Sequence, residues 1–189
     1  MSWEIGLDTL WHSLSKLEVT SSIYQIDSTD KGFDILVSWI NQLRKSRNTL
    51  YFIGNGASAS MASHYSADMA KNGNLHTQVF SDLSLITAIS NDIGFEEVFS
   101  IPLQRRASSG DILVAISSSG ESPNITRAAH AAQKLDVKVV TLSAMEPSNH
   151  LRRLGDLNFY IPARTYGHAE TGHAAILHHL MDIVEADPG

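Results

Sequence analysis

Residues 50–68, LYFIGNGASASMASHYSAD, and residues 112–124, ILVAISSSGESPN, share one grammar: a short apolar run, a Gly/Ser-rich turn, then a helical pattern. Each apolar run is the length of a strand buried on both faces, and the small residues behind it mark a tight turn. The unit strand, loop, helix is thus written twice. In such a unit the loop N–H groups and the helix N-terminus point at whatever lies above the strand ends, and small side chains let an anion come close. The second loop is the more specific, because Ser117, Ser118, Ser119 and Ser122 set four hydroxyls beside Gly120. Hydroxyls donate to phosphate oxygens without a fixed charge. Capping of the following helix needs only one of them, at Ser119 or Ser122, with Pro123 in the first turn. Neither loop has the Gly-Lys-Ser/Thr ending of a Walker A loop or the Gly-x-Gly-x-x-Gly dinucleotide fingerprint, so the pattern points to a phosphate rather than to a nucleotide cofactor.

Working outward, further strands are expected at residues 77–80, 137–142 and 158–161, alternating with helices. This alternation predicts one α/β domain over residues 1–189, a doubly wound, five-stranded parallel sheet of flavodoxin-like type. Ligands of such sheets sit at the carboxyl ends of the strands where the strand order reverses, which is where both Gly/Ser loops belong. Before the first strand, Ile5, Leu7, Leu10, Trp11, Leu14 and Leu17 form one helical stripe, and Phe33, Leu36, Val37, Ile40 and Leu43 a second. Two helices there exceed what a five-stranded sheet needs for cover. The first, with its two tryptophans, reads as an arm that packs on another subunit, so that residues 1–45 serve oligomerisation. The alternative is a helix packed on its own domain.

The 189 residues carry a net charge of −6 and a pI near 5.8, so no basic field draws nucleic acid or an anionic membrane surface. There is no cysteine, which removes disulfides, thiolate nucleophiles and cysteine-type zinc sites. The N-terminus has an early acid and a helical pattern where a secretory leader has a basic region and an apolar run. A soluble cytoplasmic protein is the expectation. His64 and Asp68 are four apart and share one helix face.

Taken together, GNGASAS with a His-xxx-acid helix, the segment AISNDIGFEEVFS, the loop GDILVAISSSGESPN and a last helix with His173 and His178 resemble the sugar isomerase (SIS) domain, and within it the phosphoheptose isomerases. The resemblance runs from the N-terminal helices to the end of the chain and is strongest over residues 51–142. It implies an aldose–ketose isomerase that converts sedoheptulose 7-phosphate to a manno-heptose 7-phosphate through an enediol, working as a homotetramer with active sites shared between subunits. It also implies that Ser58, Ser117, Ser118, Ser119 and Ser122 hold the phosphate, and that Asn55, Asp92 and Glu170 contact the sugar. Asp68 is then the base and His178 its acid partner. His64, Asp68, Glu170 and His178 fall on positions that bind Zn²⁺ in the family.

The chain departs from the family pattern at several points. Asp68 stands where the family has Glu, Glu170 where it has Gln, and residues 143–147 and 164–168 differ in the loops after the last two strands. Two other readings belong beside the isomerase: a non-catalytic sugar-phosphate sensor or partner-binding tetramer, and a lyase or etherase on an amino-sugar phosphate. His173 reads as packing at a subunit contact. His12, His76, His130, His150, His168 and His179 are given no role.

Overall fold

The structure is a computed structural model and describes residues 2–187. Its centre is a six-stranded sheet in the order β1-β6-β5-β4-β2-β3, formed by β1 (Glu18–Ser21), β2 (Thr49–Gly54), β3 (His76–Val79), β4 (Ile112–Ser117), β5 (Lys138–Ser143) and β6 (Leu157–Tyr160). The five strands from β2 onward are parallel, and renumbered among themselves they run 2-1-3-4-5, the flavodoxin-like order. Strands β2 and β4 are buried along their whole length. Leu50 and Phe52 face one core and Tyr51 and Ile53 the other, as the two-residue side-chain period requires when both faces are covered.

The sixth strand corrects the expected count. β1 runs antiparallel to β6 at the edge of the sheet, with Val19 opposite Phe159. Its sequence EVTS buries only Val19, so it has no apolar run by which periodicity would find it. It exists because β6 offers an open edge.

Among the described residues seven α-helices cover the sheet: α1 (Trp3–Ser15), α2 (Thr29–Ser46), α3 (Ala57–Lys71), α4 (Leu83–Asp92), α5 (Ser100–Arg106), α6 (Pro123–Lys134) and α7 (Tyr166–Ala186). The core on one face is built with side chains of α2, α3 and α7, and that on the other with those of α4, α5 and α6. The last helix starts earlier than its apolar pattern suggests, because the Thr165 hydroxyl accepts from the His168 N–H and caps it. At the amino ends of β2 and β4, the buried Asp111 carboxylate accepts from the backbone N–H of Thr49 and Ser108, each at 2.8 Å. That fixes the two central strands against each other.

α1 lies against α7, with Leu14 near Gly172, yet Trp3 and Trp11 remain 79% and 70% exposed. The helix is therefore both a cover of its own domain and a bearer of a free apolar face.

Candidate active site

The strand order reverses between β2 and β4, and Gly54 pairs with Ile116 at their carboxyl ends. The two loops of the opening motif leave from that point. A Cβ on Gly54 would lie 2.5 Å from the backbone of Ser58, so only glycine lets the first turn of α3 settle directly on the strand end. At the second loop Gly120 has φ +66°, and a Cβ there would strike the Asn149 side chain at 2.1 Å. The loops are joined to each other by a reciprocal amide pair. Asn55 Nδ2 donates to Asn124 Oδ1 and Asn124 Nδ2 to Asn55 Oδ1, both at 2.9 Å.

Above this junction is a pocket of about 180 Å³ lined by Asn55, Ser58, Ser117, Ser118, Ser119, Ser122, Tyr166 and Glu170. The structure thus brings together all five serines of the sequence reading. Ser122 is the N-cap residue of α6, but its hydroxyl makes no capping bond. Ser117 and Ser119 accept from the N–H groups of Gly120 and Glu121 at 3.2 and 3.3 Å and so shape the turn. Among the described residues no lysine or arginine lines the pocket. An anion held here rests on neutral hydroxyl and backbone donors and on the N-terminal ends of α3 and α6.

Farther along α3, His64 Nε2 stands 3.3 Å from Asp68 Oδ2, on an outer face where the two side chains are 56% and 28% exposed. The rings of His64 and His178 are 5.8 Å apart, and His178 packs edge-on against Tyr65 at 4.9 Å. Tyr65 fixes the distance between the two helices: its hydroxyl donates to the Ala174 carbonyl of α7 at 2.9 Å. Burial, reinforced by the charge of Asp68, pushes the Tyr65 phenol up to about 12. It is a neutral spacer. His64 thus stands between Asp68 and His178, beside the first on α3 and facing the second across the α3–α7 seam.

Other expected members stand apart. Glu170 lines the serine pocket, and the eight residues from it to His178 span about 12 Å of helix rise. Among the described residues no three His, Asp or Glu side chains converge on a common metal position. As arranged, His64, Asp68, Glu170 and His178 do not fit one zinc ion. Asp92 ends α4, exposed, accepting from Asn91 at 2.8 Å, and does not line the serine pocket. His173 lies inside the protomer, wholly buried on the sheet side of α7. That corrects the expectation of a subunit contact. The residues that sequence reasoning missed are Asn124, Tyr65 and Tyr166. Asn124 follows Ser-Pro at a helix start, a position that aims its side chain back at the loop; the two tyrosines carry no sequence signal of their role.

Comparison with known proteins agrees with this geometry. A family model for the SIS domain matches residues 18–144. The phosphoheptose isomerase of Helicobacter hepaticus is 34% identical over 165 residues, 84% of this chain and 82% of that protein. That of Citrifermentans bemidjiense is 31% identical over 157 residues, 80% of this chain and 81% of the relative. The solved phosphoheptose isomerase of Neisseria gonorrhoeae superposes with a TM-score of 0.82 at 24% identity, covering 96% of each chain, which shows the shared fold. By its matched domain, its relatives and its fold, the chain belongs to the SIS-domain family, in the branch of the phosphoheptose isomerases.

Proposed function

We propose that this protein isomerises sedoheptulose 7-phosphate to the manno-heptose 7-phosphate. The single observation that carries the reading is the lysine- and arginine-free serine pocket at the switch point, with Asp68 and His178 farther along the same two helices, α3 and α7, that help to form it. The phosphate enters the serine pocket. The about 12 Å of helix between Glu170 and His178 favours a long substrate, since a seven-carbon chain built of roughly 1.5 Å bonds reaches on the order of 10 Å from its phosphate and a three-carbon one does not.

In the reaction Asp68 takes the C1 proton of the ketose, giving an enediolate, and returns a proton to C2. His178 protonates O2 as the carbonyl is consumed and takes the proton from O1 as the aldehyde forms. No atom is gained or lost. Positioned proton transfer of this kind contributes roughly 10²- to 10⁴-fold. The reading includes a homotetramer in which the apolar face of α1 packs on another copy and neighbouring subunits share active sites. It also includes a cytoplasmic location, where phosphorylated sugars are retained.

The test follows sedoheptulose 7-phosphate in D₂O by NMR. Deuterium at carbon and an aldose product are expected, with both lost at least 10²-fold in Asp68→Ala and His178→Ala. Binding of the sugar phosphate without exchange would overturn the isomerase reading and leave a sensor.

A further inference from the structure

A groove of about 1080 Å³, far larger than the serine pocket, lies on the other flank of the α7 N-terminus. One wall is α1 and the other the loops that follow β5 and β6. Thr9, His12, Ser13 and Lys16 recur at the spacing of one helix face and line it. The exposed tryptophans Trp3 and Trp11 lie outside this stripe and do not line the groove. α1 therefore separates an apolar face suited to protein contact from a polar, basic face turned to the groove.

Across from Lys16 and His12 stand Arg164 and His168. None of these four side chains has a carboxylate partner among the described residues, and Glu146 is the one acidic side chain that lines the groove. In a chain of net charge −6 such a cluster is not the consequence of an overall basic surface. Lys16 and Arg164, unpaired cations on opposite sides of the groove, suit a ligand with an anionic centre for each. The volume exceeds what inorganic phosphate fills, and Met145, Pro147 and Pro162 supply an apolar floor for an organic body.

We infer that this groove is a second ligand site, separate from the serine pocket, for a small organic molecule that carries a diphosphate. Arg164 forks onto one phosphate and Lys16 meets the other as a point charge.

The experiment titrates the intact protein with ADP and with pyrophosphate by calorimetry. Saturable binding of both is expected, with inorganic phosphate at least tenfold weaker. Arg164→Ala and Lys16→Ala should each weaken ADP roughly tenfold or more, the loss of a charge-assisted contact. Ser119→Ala should leave it unchanged, and sedoheptulose 7-phosphate should not displace it. Absence of saturable binding by either probe overturns the inference. So does binding that Ser119→Ala abolishes, which would be the serine pocket, or binding indifferent to both Arg164→Ala and Lys16→Ala. A changed oligomeric state in those two variants without any ADP binding would overturn it in favour of a subunit contact. These outcomes do not depend on isomerase activity.

Discussion

An imidazole buried away from water is costly to charge, and His173 is 0% exposed: among the described residues neither ring nitrogen is in good hydrogen-bond geometry, and the nearby Ser143 backbone offsets the burial only in part. Burial pushes its pKa down to about 4. A histidine in the unfolded chain takes its proton near pH 6.5, whereas the folded one refuses it until about pH 4. Between those values the unfolded state holds more protons, so stability rises with pH; the contribution is complete above 6.5 and is lost as pH falls toward 4. The shift corresponds to on the order of 3 kcal/mol. Urea midpoints at pH 7 and pH 4.5 should fall farther apart in the wild type than in His173→Leu, which has no proton to take up. Equal falls in the two proteins would mean that carboxylates alone carry the acid sensitivity. At the same scale, Asp at position 68 in place of Glu shortens the reach of the proposed base by about 1.5 Å. His64 stands beside that carboxylate, so His64→Ala should lower the exchange rate through kcat more than through KM.

The two strand–loop–helix units are tied where their helices begin, and the tie is an amide pair rather than a charge pair. Replacing Asn124 by Leu removes one member of a pair in which Asn124 is 2% exposed and leaves the Asn55 amide short of both its bonds. The expected cost is about 1–3 kcal/mol of stability, with affinity for the sugar phosphate weakened by more than tenfold. A thermal melt and a binding titration of the variant check the two parts separately. Unchanged phosphate binding would mean that the loops hold their shape without the pair. What was legible in the sequence at this scale follows from the same physics. The central parallel strands β2 and β4 announce themselves because both faces are buried and the run is continuous, as in ILVAIS. The serine loop announces itself by composition. β1 and the Asn55–Asn124 pair do not, since an edge strand with one buried residue and a contact spanning 69 positions are fixed only by tertiary placement. The approach of His64 to His178 likewise depends on how α3 and α7 cross, which Tyr65 helps to set and no spacing encodes.

Over the whole molecule, surplus apolar surface is concentrated rather than scattered. Trp3, Ile5, Leu7 and Trp11 are exposed along α1, and Leu83, Ile93 and Phe95 are exposed around α4 and the turn that follows it. Contiguous apolar patches on an otherwise acidic domain mark protein contacts. A tryptophan buried in such a contact removes roughly 200 Å² from water, worth about 5 kcal/mol at 25 cal/mol per Å² before association costs are subtracted. Two of them on one helix suffice to decide an assembly. Light scattering on the wild type should report four copies at micromolar concentration, and Trp3→Ser with Trp11→Ser a smaller species. The variant keeps the core, because both side chains lie outside it, so its melting transition remains cooperative. If sites are shared between subunits, the dissociated variant also loses isomerase activity while retaining the serine pocket and phosphate binding. A variant that stays the size of the wild type would show that α1 is only a cover for α7. A dissociated variant at full activity would show that one chain contains the whole reaction.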